Sequence, residues 1–209
     1  MSEVDAMRVA DHVRSLDGFE LVEDMALPYN HMGATITDGV LQAGLRYETV
    51  VWPRVQHVMT IQEAATTSGF LAVLLARGGE EVVRWTHPDK LRRMVAVAEL
   101  FASVGLETEA HLLAWLCDGP GSEAHAARLG AVHGIGPKTI DYFRILCGRQ
   151  DAAAIDLHLT RFLERAGVRV TSYEQAQAVV AGAAAELGVP AAQLDHSIWT
   201  YMSKAGKTW

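Results

Sequence analysis

Residues 129–168 read LGAVHGIGPKTIDYFRILCGRQDAAAIDLHLTRFLERAGV. Within them, HGIGPKT sets Gly134 and Gly136 two residues apart and puts Pro137 at the head of an amphipathic run that continues to Cys147. Proline suits a first helical position, because its ring fixes φ and the amide proton it lacks would have no partner there. The pattern predicts a tight hairpin between two helices. Glycines let the chain turn, and their uncovered N–H groups, with the N-terminus of the next helix, make a site suited to a phosphate without many basic side chains. A plain Gly-Pro turn between packed helices accounts for the same residues equally well.

Downstream, the apolar run Ala152–Ile155 leads to Asp156, then Leu157, His158 and a second amphipathic stretch through Phe162 and Leu163 to Gly167. Asp156 is placed to cap that helix. It follows Lys138 by eighteen residues, enough for a short helix and a return loop, so both side chains are able to face one cleft. An amine and a carboxylate together suit attack at an N-glycosidic carbon: one is the nucleophile, the other an acid–base group that stabilises positive charge on the sugar. For an arbitrary Lys and Asp, a solvated first-turn lysine and a simple N-cap are the commoner outcome.

These residues resemble the helix-hairpin-helix DNA glycosylases of the endonuclease III superfamily. Gly134, Ile135, Gly136, Lys138 and Thr139 match the hairpin pattern, and Ile155, Asp156 and His158 match the start of the helix that follows. The resemblance implies a mainly α fold of two helical lobes with a helix-hairpin-helix motif and a cleft between them. It places the lobes at about 34–150, a helical barrel with the hairpin, and at 1–33 plus 151–209, within one glycosylase unit spanning 1–209. It makes Lys138 the Schiff-base nucleophile of a bifunctional glycosylase and abasic-site lyase, and Asp156 its essential acid. The DNA contacts it implies come from His133, Gly134, Gly136, Lys138 and Thr139, with Arg161 among the nearby arginines. In Gly39–Thr49 it makes Gln42 the residue that fills the gap left by a flipped nucleotide. Tyr29, His31, His196, Trp199 and Tyr201 are candidates for the base pocket. Two rivals stay open: a monofunctional glycosylase, and a non-catalytic helix-hairpin-helix DNA-binding protein.

The surrounding sequence agrees with a helical class. Pro88–Val104, Thr108–Cys117, Thr171–Leu187 and Pro190–Lys204 carry a 3.6-residue apolar period, and Gly33–Gly44 and Glu48–Met59 read as helices rather than strands. Phe19–Val22 is the one candidate for a short strand. The chain has 209 residues, half of them hydrophobic, which excludes disorder. Its net charge of -7 at face value argues against DNA. Divided along the chain, however, the charge is -6 in residues 1–50 and +2 in 120–170, so the acid lies away from the hairpin.

Two cysteines, Cys117 and Cys147, are too few for a four-thiolate cluster. No iron-sulfur centre is expected, although the resemblance leaves room for a monovalent cation at the hairpin. No two of the nine histidines lie three to five positions apart, so no metal pair is expected. The absence of a long apolar run and of a secretory leader points to a cytoplasmic protein with no membrane partner; a monomer is expected, and the resemblance implies double-stranded DNA as its partner.

Overall fold

The computed structural model describes residues 3–22 and 27–205. Among these, the chain forms twelve α-helices and no strand: α1 (Glu3–Ser15), α2 (Met32–Leu41), α3 (Trp52–Met59), α4 (Thr67–Arg77), α5 (Gly79–Val82), α6 (Pro88–Ser103), α7 (Glu109–Cys117), α8 (Ser122–Gly130), α9 (Pro137–Leu146), α10 (Leu157–Arg165), α11 (Tyr173–Leu187) and α12 (Ala191–Ala205). A π-helical turn, Tyr47–Val51, runs directly into α3. Contacts divide the chain into a central unit, Ala26–Gly148, and a terminal unit, Met1–Met25 with Arg149–Trp209.

The central unit is built around α2, whose ten residues MGATITDGVL are all buried. A helix covered on every side needs small residues where neighbours approach, and α2 supplies them. A Cβ at Gly33 would lie 2.7 Å from the Ala64 carbonyl oxygen, and one at Gly39 would lie 2.5 Å from the Phe143 ring. Phe143 is itself fully buried and meets Phe101 edge-on, with centroids 5.8 Å apart. Alanine at position 39 gains about 1 kcal/mol of helix propensity, but overpacking a ring with no room to swing costs about 3 kcal/mol. Gly39→Ala is therefore expected to destabilise the protein by about 2 kcal/mol in urea denaturation.

The terminal unit packs α1 on α11 and α10 on α12. Leu159, Phe162 and Leu163 of α10 are buried while Arg161, Glu164 and Arg165 are exposed, the one-sided pattern read from the sequence. Small residues again set the approach of α1 to α11, since a Cβ at Gly182 would lie 2.8 Å from the Ala6 methyl. The loop before α10 is pinned from behind. Ala154 N–H donates to the buried Asp195 carboxylate at 2.6 Å, Gln177 Nε2 donates to the Ala153 carbonyl at 3.1 Å, and Ala192 N–H donates to the Gln150 carbonyl at 3.0 Å.

Phe19–Val22 is not a strand. Val22 N–H donates to the Ser197 hydroxyl at 2.9 Å, and Phe19 packs its ring against Phe162 and Tyr201. Its alternating apolar residues serve a loop laid over helices.

Candidate active site around Lys138 and Asp38

α8 and α9 are joined by a short turn, residues 131–136. Ile135 is buried and its N–H donates to the Val132 carbonyl at 2.9 Å, which anchors the turn in the core. Gly134 has φ +82°, a conformation open to glycine and strained for other residues. From α6, Arg93 Nε donates to the His133 carbonyl at 2.8 Å, while the His133 side chain is exposed. Gly136 precedes α9, Pro137 opens it, and Thr139 is buried within its first turn. Lys138 thus stands at the head of α9.

The half-buried Lys138 ammonium donates to Gln42 Oε1 and lies 4.9 Å from the centre of the Tyr142 ring. Tyr142 is one helical turn beyond Lys138, so the two side chains share a face. Its hydroxyl donates to Asp38 Oδ1 at 3.2 Å. Asp38, in the middle of α2, is fully buried, and its other oxygen accepts from Tyr29 at 2.7 Å and Tyr47 at 3.0 Å. The indole of Trp52 stacks beside Tyr47 at 6.4 Å and tilts against Tyr29 at 6.2 Å.

Burial pushes the Asp38 carboxyl up to about 6, even though the three phenol hydrogen bonds and the Lys138 charge all pull it down. Burial, followed by the Asp38 charge, drives the Tyr29, Tyr47 and Tyr142 phenols upward. Asp38 is thus held by protonated phenols well beyond neutrality.

A second lysine closes the C-terminal end of α2. Lys90, from α6, donates to the Val40 and Ala43 carbonyls at 2.7 and 2.9 Å, satisfying acceptors that the helix end leaves open. Burial lowers its ammonium to about 8, with further lowering from the charges of Arg93 and Lys138. Gln42, the residue that ends α2, gives its oxygen to Lys138 while its Nε2 is buried without a partner among the described residues.

The remaining sequence-derived candidates take other places. Asp156 caps α10, its Oδ1 accepting from His158 N–H at 2.8 Å and Leu159 N–H at 3.0 Å. It belongs to the terminal unit and Lys138 to the central one. His31 caps α2: its Nδ1 accepts from Ala34 N–H at 3.1 Å, which leaves Nε2 to donate to the Ile61 carbonyl at 3.1 Å. The buried Glu109 completes that corner by accepting from His31 N–H and the Thr35 hydroxyl. His196 stacks on Trp199 at 6.3 Å and His158 meets the same indole edge-on, with burial lowering the His196 imidazole. Tyr201 packs on Phe19 and Phe162 in the terminal core, and Arg161 is exposed on α10. Tyr29 is the pocket candidate that joins the Lys138 cluster.

Asp38, Tyr47, Trp52, Lys90 and Tyr142 were not singled out by sequence reasoning. The signal for Asp38 was its setting, an acid inside the otherwise uncharged run GATITDGVLQAG. Tyr29 and Tyr47 stand nine residues before and after it.

Cys117 and Cys147 are free thiols, and burial pushes the Cys147 thiol upward. Among the described residues, no group of three or more His, Cys, Asp or Glu side chains is arranged to hold a metal, and no helix is long and apolar enough to cross a membrane. No curated protein and no solved structure matches the chain. A family model described as a domain of unknown function (DUF8548) matches residues 8–203, and the chain belongs to that family.

Proposed function

We propose that this chain is a DNA base-excision glycosylase of the helix-hairpin-helix type, with abasic-site lyase activity through Lys138. The observation that carries this reading is the head of α9. There the HGIGPKT sequence turns at a positive-φ glycine, and the lysine that follows has its ammonium set against Gln42 and an aromatic ring. The bland alternative, a solvated first-turn lysine, fits a half-buried ammonium with these neighbours less well.

In this reading the backbone around Gly134 and Gly136, with His133 and Thr139, meets a DNA phosphate, and Gln42 enters the space of the flipped nucleotide. Such amide-based contacts need little net positive charge. Extruding the base costs a few kcal/mol, less when it is damaged or mismatched. Lys138 Nζ, once unprotonated, attacks C1′. The Nζ–C1′ bond forms as the bond to the base breaks, the electron pair leaves with the base, and the base takes up a proton. The resemblance assigns to the Asp156 carboxylate the stabilisation of positive charge on the sugar and the steering of that proton transfer. The sugar ring then opens as Nζ loses a proton and the ring oxygen gains one, leaving an imine; loss of a C2′ proton then forms the C2′=C3′ bond as the C3′–O bond breaks and the 3′ phosphate leaves with its electron pair.

Borohydride reduces such an imine to a stable amine. Incubation with duplexes bearing an abasic site, oxidised pyrimidines, 8-oxoguanine, uracil, alkylated purines or mismatches is expected to leave a denaturant-resistant cross-link at Lys138 on at least one duplex. Base release without a cross-link would assign a monofunctional glycosylase. Duplex binding without base release from any of them would leave a DNA-binding module.

A further inference from the structure

Nothing in the proposed chemistry requires Asp38, yet the central unit commits three tyrosines to it. A fully buried carboxylate is costly to hold, and an apolar residue of similar size would avoid that cost. Around Asp38, α2 is otherwise lined by residues such as Ile36, Val40 and Leu41, so the acid is the exception on its helix. What it touches, through one intermediary, is Lys138.

That intermediary is Tyr142. A phenol tied at its hydroxyl cannot swing aside, so its ring is a fixed seat for the ammonium above it. The charge of Lys138 also acts on Asp38, and charge interactions are mutual. We infer that Asp38 is a positioning residue for the Lys138 amine: acting through Tyr142, it fixes where Nζ sits and how readily Nζ gives up its proton. The inference rests on the reading of Lys138 as the nucleophile, but its test does not use DNA.

The sign follows from the groups that face the pair. Ionised Asp38, on α2, favours the charged form of Lys138, and Lys90, on α6, opposes it, since two nearby ammonium groups repel. Tyr29 and Tyr47 stay protonated, so neither brings a charge to the pair. Of the other charged groups on the packed helices, Glu109 of α7 accepts from His31 and Thr35, His125 of α8 stacks on Trp115, Asp141 of α9 pairs with Arg144, and Arg93 of α6 donates to the His133 carbonyl and adds its charge to that of Lys90. Asp38 is thus the acid linked to Lys138 through Tyr142, and neutralising it should release the amine at lower pH.

The experiment measures reductive methylation of Lys138 by formaldehyde and cyanoborohydride as a function of pH, read by peptide mass spectrometry on the folded full-length chain. With Asp38→Asn, the midpoint of Lys138 labelling is expected to fall by about one pH unit, or about tenfold more free amine at a given lower pH. Tyr142→Phe keeps the ring but removes one donor from Asp38, so the midpoint should move the same way by less. The exposed Lys204 should be unchanged in both. An unmoved Lys138 midpoint in the folded variants overturns the inference and leaves Asp38 a packing residue. If Asp38→Asn does not fold, Tyr142→Phe decides alone. A wild-type chain that never cross-links to DNA, but whose variants shift as stated, refutes the nucleophile reading and leaves this inference intact.

Discussion

Lys138→Gln is expected to abolish borohydride cross-linking, lowering it by about 10³-fold or more, because an amide nitrogen cannot form the imine that borohydride reduces. The substitution is mild for the fold. Glutamine has nearly the length of lysine and can still donate to Gln42 Oε1, so the head of α9 keeps its contact with the end of α2. What disappears is the charge. Base release separates the two catalytic readings: lost along with the cross-link, Lys138 is the nucleophile for both steps; retained, water is the nucleophile and Lys138 serves DNA contact. A secondary effect should accompany either outcome. With the lysine charge gone, one influence that keeps Asp38 ionised is removed, so its carboxyl should rise further above about 6.

Asp156→Asn is expected to lower base excision by about 10² to 10⁴-fold, the range over which a positioned acid–base group acts, while leaving the fold and DNA affinity nearly unchanged. Asparagine is as good an N-cap as aspartate, and its side-chain oxygen can accept from the same His158 and Leu159 amides that Asp156 holds. Asp156→Ala supplies the contrast. It removes the cap as well as the charge and should cost about 1 kcal/mol of stability. If excision survives in the Asn variant and falls only in the Ala variant, in step with thermal stability, Asp156 is a cap and nothing more.

Much of the helical architecture could be read from periodicity, because an amphipathic helix writes its buried face into the spacing of its residues. α6 and α11 begin and end within two residues of the stretches read from sequence, and α10 shows why: Leu159, Phe162 and Leu163 fall on one side and the charged residues on the other. The turn at Gly134 was legible for a related reason, since glycine and proline mark backbone conformations directly. The Phe19–Val22 reading failed because a four-residue apolar pattern does not say whether it meets another strand or a helix surface. The Asp38 cluster was hidden for a different reason. Its four members come from the segment before α2, from α2 itself, from the π-helical turn and from α9. No local pattern links them, and an acid counted among the nine in residues 1–50 looks like surface charge until its burial is known. The loop before α10 shows the same limit, since Asp195, forty-one residues away from Ala154, holds it in place.

The phenols around Asp38 give the protein an optical property. Tyr29, Tyr47 and Tyr142 are three of its five tyrosines, and all three resist ionisation while the central unit is folded. Phenolate absorbs in the near ultraviolet where phenol does not. Most of that absorbance therefore has to wait for the unit to open, so a spectrophotometric titration into alkali reports the loss of the core around α2 rather than the chemistry of the protein surface.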